Sequence, residues 1–260
     1  MGGRNSRPYN AGSRKRVISV IIPTLVSLVR RAQANEEHNV ADAIASAWES
    51  EPGCTGRSEV LVVDGGSKDQ TALIAKQMGA KVVYSLPGRA RQMNLGWLHS
   101  TGDCLLFLHA DCKLPQGYQD MLHEAVYVPK PPASSWGCFE TIDADVGCAK
   151  QQQLLRHAVR FRTRRQHMPY GDQALFVTSA LFRRLGGFKE LPIMEDYELV
   201  SRLRKHGPPA IIPHAIQTSG RRWQNVGFLQ TMLTNQAIIL AYHCGVPAQT
   251  LASWYRKGLP

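Results

Sequence analysis

Three short stretches of the chain carry side chains able to do polar chemistry. His109 and Asp111 stand two residues apart directly after the apolar run Cys104 to Leu108, so on an extended chain both point to the same side. An imidazole and a carboxylate so placed can share one hard divalent cation, Mg²⁺ or Mn²⁺, and hold it against a diphosphate. Taken alone, Asp111 reads as readily as a turn cap. Glu195 and Asp196, within Pro192-Ile193-Met194-Glu195-Asp196-Tyr197-Glu198, fall where a helix is expected to begin, and the helix dipole favours ionised carboxylates there. Such a group is either a cap or a general base for a hydroxyl that must lose its proton on attack. Arg221-Arg222-Trp223 joins fixed cations, suited to charge on a leaving phosphate, to an aromatic plate suited to the apolar face of a sugar ring. A solvated basic turn is the plainer reading of that stretch.

These residues must be held by a scaffold, and the first half of the chain spells one out. Val17 to Ile22 is a β-branched run ended by Pro23, and predicts a buried strand. Val40, Ile44, Ala47 and Trp48 recur at helical spacing after Asn39, expected as the N-cap. Glu59 to Val63 predicts a second strand, Asp64-Gly65-Gly66-Ser67 a turn, and Asp69 to Met78 a helix closed by Gly79. Lys81 to Tyr84, Arg89 to His99 and Cys104 to His109 continue as strand, helix and strand. The alternation predicts a single α/β domain: a mostly parallel central sheet with helices on both faces. Ligands of such sheets bind at the carboxyl ends of the strands, which selects Pro23-Thr24, Asp64 and His109-Ala110-Asp111. The second half is less regular: a basic helix over Gln151 to Arg165, a strand over Ala174 to Val177, and a loop over Pro192 to Asp196 leading into a helix over Tyr197 to Lys205.

The 260 residues are 43% hydrophobic and 20% charged, which is ordinary for a globular enzyme and excludes a fibrous or disordered chain. A net charge of +11 implies an anionic partner. Because the cations occur as scattered pairs such as Arg30-Arg31 and Arg183-Arg184 and not as one aromatic-studded stripe, no nucleic-acid partner is expected. Six cysteines without a CxxC pair predict reduced, mostly buried thiols. Residues 1–16 read as a disordered basic arm, and Met1-Gly2-Gly3-Arg4-Asn5-Ser6 fits an N-myristoylation pattern followed by basic residues. The same arm also fits the remnant of an organelle-targeting segment. A cytoplasmic or plastid-stromal protein follows, with peripheral contact to an anionic membrane through the arm as a further expectation. From Gln224 to Tyr255 there is no Asp, Glu, Lys or Arg, and apolar residues recur there at helical spacing. That segment predicts a helix packed on its own domain, or one lying in a membrane interface.

Together these pieces resemble the family 2 glycosyltransferases. The resemblance runs from Val17 to about Tyr255 and rests on Ile21-Ile22-Pro23-Thr24, Asn35-Glu36-Glu37, Val62-Val63-Asp64-Gly65-Gly66-Ser67, Leu108-His109-Ala110-Asp111 and Met194-Glu195-Asp196-Tyr197. Arg89-Ala90-Arg91-Gln92-Met93-Asn94, Tyr170-Gly171-Asp172-Gln173 and Gly220-Arg221-Arg222-Trp223 resemble a small subgroup associated with radical-SAM and selenium-domain genes. The resemblance implies a GT-A fold over residues 17–260, a UDP- or GDP-type sugar donor, an acceptor hydroxyl of unspecified identity, Mg²⁺ or Mn²⁺, and inversion at the anomeric carbon. It implies that Pro23, Glu36 and Asp64 hold the nucleoside, with Arg89, Gln92 and Asn94 near the diphosphate. Asp111, helped by His109, would bind metal; Asp196 would be the base and Glu195 its neighbour facing the acceptor. Gly171, Asp172, Gln173, Arg222 and Trp223 would shape the sugar and acceptor site.

Two departures stand out. His109 occupies a position where the commoner pattern has an acid, and residues 26–34 intervene between Leu25 and Asn35 as an insertion. The competing expectations are a polyprenol-phosphate glycosyltransferase at a membrane surface and a catalytically inactive basic binding protein.

Overall fold

A computed structural model describes residues 16–24, 36–49, 57–128 and 134–257. The expected basic arm and the expected insertion at 26–34 lie outside the described residues, apart from Arg16.

The strands are β1 (Val17–Thr24), β2 (Arg57–Asp64), β3 (Lys81–Tyr84), β4 (Cys104–Phe107), β5 (Cys112–Lys113), β6 (Trp136–Ala144), β7 (Phe176–Thr178) and β8 (Ala210–Thr218). The helices are α1 (Glu36–Trp48), α2 (Thr71–Gln77), α3 (Arg89–Leu98), α4 (Tyr118–Tyr127), α5 (Ala149–Gln166), α6 (Ser179–Leu185), α7 (Glu195–Leu203), α8 (Arg221–Val226), α9 (Phe228–His243) and α10 (Ala248–Lys257). The described strands form one sheet in the order β3-β2-β1-β4-β7-β6-β8-β5. Pairs β1/β2, β1/β4, β2/β3 and β6/β8 are parallel, while β7 and β5 run against their neighbours.

Helices on both faces follow directly from the side-chain period of two along each strand. Ile18, Val20 and Ile22 of β1, Val60 and Val62 of β2, and Leu106 of β4 join one core with α1, α4 and α5. The intervening Ile21, Leu61, Val63, Leu105 and Phe107 join the other core with α3, α6 and α7. A continuous apolar run is therefore what a two-sided strand requires. Helix α3 lies close on β1 because Gly96 has no side chain: a Cβ there would sit 2.4 Å from Ile21 Cγ2.

Two local expectations are corrected. Strand β1 does not stop at Pro23 but runs through it to Thr24. The Ile21 carbonyl accepts from Leu108 N while Thr24 O accepts from Gly65 N, so the backbone of Pro23 faces the β4 side, where strand pairing has already ended at Phe107. A proline costs no ladder bond at such a point. Helix α1 begins at Glu36, so Asn39 is an interior residue and not its N-cap.

Candidate active site

The strand order reverses between β1 and β4, and the turns leaving β1, β2 and β4 gather at that crevice. At the end of β2, Asp64 accepts from Ser67 N at 3.1 Å, from Thr24 Oγ1 at 3.1 Å and from the Ser67 hydroxyl, so its carboxylate fixes the turn that follows. Buried Gln92 of α3 donates to Thr24 O and Val63 O, both at 2.7 Å, and staples the two strand ends from beneath. Asn94 exchanges two hydrogen bonds with the Phe188 backbone, at 2.8 Å each. Of the three α3 residues expected at a diphosphate, only Arg89 reaches the cavity that Asp111 and Asp196 line; Gln92 and Asn94 brace the scaffold. The reason is helical periodicity: positions three and five residues on from Arg89 turn toward the sheet and the Gly187-Phe188 turn. Glu36 opens α1, and its side chain lies outside the described part of the structure.

That cavity, of about 240 Å³, is lined by His109 and Asp111 from the turn after β4, by Tyr170 and Asp172, by Met194, Asp196 and Tyr197, and by Trp223 and Tyr255. Asp196 sits in the first turn of α7. Its Oδ2 accepts from Gly171 N at 2.7 Å and its Oδ1 from Tyr197 N at 2.7 Å, which fixes the carboxylate and leaves each oxygen further acceptor capacity. Met194, just before it, holds a left-handed φ of 68°, an uncommon conformation for a side chain with a Cβ and of a kind found at sites that over-determine the backbone. Gly171 opens a 3-10 turn over Gly171–Gln173. A Cβ on it would lie 2.7 Å from His109 Nε2 and 3.2 Å from Asp196 Oδ2.

Glu195 is not in the cavity. Only 1% exposed, it points beneath the site and pairs with the Arg89 guanidinium, correcting the expectation that it faces an acceptor. Its carboxylate raises the pKa of Arg89, while burial pushes Glu195 itself up against the pull of that arginine. The pair positions Arg89, whose charge lines the cavity. Gln173 is also displaced from its expected role. Fully buried, it donates to Phe139 O, Glu140 O and Thr163 Oγ1 and accepts from Tyr170 N and Arg162 Nη2, a hub that pins the 170–173 turn to β6 and α5. Arg222 stacks over Tyr255 at 3.7 Å and lies behind the cavity wall that Trp223 and Tyr255 form.

The electrostatics separate the titratable groups. Burial, reinforced by Arg89, pushes His109 down to about 4, against the opposing pull of Asp111 and Asp196, so the imidazole is neutral near pH 7 and has a lone pair to give. Burial pushes Asp172 up to about 6 despite nearby Arg162, with Asp196 and Asp111 adding repulsion. Its Oδ1 is buried without a hydrogen-bond partner.

Ligand atoms of His109, Asp111 and Cys112 lie within 4.8 Å of one another. Burial holds the Cys112 thiol well above its usual range, so it stays protonated and donates to Thr218 Oγ1 at 3.3 Å. A neutral imidazole and a half-exposed carboxylate remain, a donor set that suits Mn²⁺ or Mg²⁺ and leaves most coordination positions to diphosphate oxygens and water. Arg221 Nη2 stands 3.8 Å from Asp111 Oδ2 and adds a second cation at this end of the cavity.

The model of glycosyl transferase family 2 matches residues 19–190, a span that includes the Asp64 turn, the His109–Asp111 turn and the Gly171–Gln173 turn. The chain belongs to glycosyl transferase family 2. A glycosyltransferase of Mycobacterium tuberculosis, described as uncharacterised, is 32% identical over 154 residues, covering 56% of this chain and 57% of that protein. The chain thus spans little more than half the length of the curated relatives it matches. Among solved structures, a mannosyltransferase of Pyrobaculum calidifontis bound to GDP-Man and Mn²⁺ aligns with TM-score 0.55 at 20% identity, over 79% of this chain and 57% of its own. Glucosyl-3-phosphoglycerate synthase of M. tuberculosis, bound to phosphoglyceric acid, aligns with TM-score 0.54 at 20% identity over 92% of this chain and 82% of its own. At such identities these two share the GT-A fold with the family 2 domain described here.

Sequence reasoning missed Tyr170, Tyr197, Asn235, Ile238, Ile239 and Tyr255 as cavity residues. For Asn235, Ile238, Ile239 and Tyr255 the signal available was the uncharged stretch from Gln224 to Tyr255, whose inner face closes the site. Among the described residues no helix is long and apolar enough to cross a membrane. Cys104, Cys112 and Cys138 are buried free thiols, whereas Cys148 and Cys244 are exposed.

Proposed function

We propose that this family 2 domain transfers a sugar from a nucleoside-diphosphate sugar to an acceptor hydroxyl, with inversion and with Asp196 as general base. The carrying observation is that Asp196, held by the Gly171 amide, faces the same cavity as the His109 and Asp111 pair. The acceptor oxygen gives its proton to Asp196 Oδ as it bonds the anomeric carbon, and the bond from that carbon to the diphosphate oxygen breaks on the opposite side. Attack and departure on opposite faces invert the centre.

Asp111 and His109 would hold Mn²⁺ or Mg²⁺, which supplies charge neutralisation for the departing diphosphate. Arg89, anchored by Glu195, and Arg221 place fixed positive charge at the same end. Asp64 and Pro23, at the ends of β2 and β1, are assigned to the nucleoside of a UDP- or GDP-type donor, and Trp223 to the sugar or acceptor ring. GDP-Man bound to the mannosyltransferase and UDP bound with Mn²⁺ to the synthase support this donor class.

The test is release of UDP or GDP from a panel of nucleotide sugars with Mn²⁺, water serving as a slow acceptor. Asp196→Asn should lower turnover by about 100-fold or more while nucleotide binding persists, in line with the usual contribution of a positioned base. Equal turnover in wild type and Asp196→Asn would remove Asp196 from the base role.

A further inference from the structure

A second cavity, of about 260 Å³, opens between α5 and α9. Leu155, Ala158, Val159 and Phe161 from α5 and Met232 and Ile239 from α9 give it an apolar side, while Arg162 and Gln166 of α5 and Asn235 and Gln236 of α9 make the rest of the wall polar. It adjoins the catalytic cavity, since Tyr170, Asp172, Tyr197, Trp223 and Asn235 line both. The junction is polar. Asp172 Oδ1 and Arg162 Nε are buried there and have no hydrogen-bond partner in the protein.

The lips of the cleft are apolar as well. At about 100° per residue, Leu229, Leu233 and Leu240 fall on one stripe of α9, flanking the face that turns into the cleft. They are 69%, 59% and 68% exposed. On α5, Leu154 and Phe161 are seven residues apart, on one stripe at the opposite lip, and are likewise exposed. Helix α5 carries Lys150, Arg156, Arg160, Arg162, Arg164 and Arg165 and no acid. Among the described residues, Asp143 pairs with Arg156, and Glu140 with Arg160 and Arg164. Helix α9 has no charged Asp, Glu, Lys or Arg at all. An uncharged leucine stripe beside a cationic helix matches the interface of an anionic bilayer better than the mixed-charge rim of a protein partner.

Resting on the transferase reading above, we propose that the acceptor is a hydroxyl-bearing amphiphile of an anionic bilayer. Its apolar tail lies in the α5/α9 cleft, and its hydroxyl is delivered past Asp172 to Asp196. The leucine stripe and Phe161 seat the protein on the bilayer surface, so the acceptor reaches the cleft without crossing water.

The experiment uses the whole chain. Co-sedimentation is measured with vesicles of phosphatidylcholine and with vesicles of equal phosphatidylcholine and phosphatidylglycerol, for wild type, Leu233→Asp and Phe161→Asp. Titration with UDP and GDP in Mn²⁺ is run on the same samples. Octyl glucoside below its micelle concentration is titrated into wild type and into Ala158→Phe, whose added ring fills the cleft. Expected are partition onto the anionic vesicles at least tenfold above the neutral ones, a tenfold or greater loss in both aspartate variants, unchanged nucleotide binding, and octyl glucoside binding that Ala158→Phe abolishes. Nucleotide binding without vesicle or octyl glucoside binding would overturn the acceptor assignment and leave the transferase reading standing. Failure of the nucleotides as well would overturn both. A dimer in solution that Leu233→Asp dissociates, with no vesicle binding, would give the leucine stripe to a second copy of the chain and overturn the proposal.

Discussion

Gly171 donates its amide to Asp196 Oδ2 at 2.7 Å, and the place where its Cβ would be is only 2.7 Å from His109 Nε2. One residue without a side chain therefore lets the proposed base and the proposed metal ligand share a cavity. Gly171→Ala must displace one of them. Its φ is not in the left-handed region, so the backbone itself tolerates alanine. The expected result is a protein that melts within a few degrees of wild type yet turns over donor about 100-fold more slowly, the scale of loss for a misplacement of about 1 Å. A variant with full activity would mean that His109 can give way at no cost.

Arg89 and Glu195 make the converse case, in which the carboxylate is buried and the cation half-exposed. Arg89→Met leaves Glu195 in a nearly dry site without its partner and should destabilise the fold by about 3 kcal/mol. Glu195→Gln in the same chain should recover much of that loss, because a neutral amide needs no counter-charge. Chemical denaturation of the two single variants and the double variant measures the coupling, and additive losses would contradict the positioning role.

Asp172 gives a pH signature. Its folded-state value of about 6 lies above the 3.8 of an unperturbed carboxyl, so the folded protein binds the proton more tightly than the unfolded chain. The stability this confers is complete below about pH 4 and is lost as pH rises through about 6. Asp172→Asn should therefore melt higher than wild type at pH 7.5, by an amount on the order of 2 kcal/mol, and nearly level with it at pH 4. Melting curves across that range check the sign. His109 runs the other way: with its folded value near 4, below its ordinary 6.5, it stays neutral where a free histidine would be charged. Mn²⁺-dependent nucleotide binding should accordingly show no loss with a midpoint near pH 6.5.

Gln173 distinguishes a brace from a contact. Gln173→Leu removes five hydrogen bonds in a sealed site and strands the Phe139 and Glu140 carbonyls, for an expected loss of about 3 kcal/mol. Nucleotide affinity at 20 °C should change less than threefold if the protein remains folded. A large affinity loss with an unchanged melting temperature would return Gln173 to the ligand site.

These outcomes bear on what the chain discloses before it folds. β1 to β4 and the helices between them were legible because each apolar run ends at Pro, Gly or an Asp turn, and the two-sided burial of Ile18 to Ile22 leaves an unbroken hydrophobic signature. β6 was not, because buried Glu140 interrupts it and is tolerated only through Arg160 and Arg164, which lie far away in sequence on α5. β8 was hidden by Pro213, which falls where the pairing register with β6 shifts between Phe139 and Thr141. At the site, residue types marked Asp111, Asp196 and Trp223, since strand ends and helix starts are local features, whereas Arg89 came only through the family resemblance. Whether Glu195, Gln92 or Gln173 faces ligand or core depends on rotation about an element, and that is decided by packing against distant chain.

The most direct test of the central claim is calorimetric titration of wild type, Asp111→Asn and Asp196→Asn with UDP and GDP, each with and without Mn²⁺. Wild type should bind one of the two nucleotides in a metal-dependent manner, Asp111→Asn should weaken this at least tenfold, and Asp196→Asn should leave it intact. Binding by neither nucleotide in wild type, or metal-independent binding insensitive to Asp111→Asn, would contradict that claim.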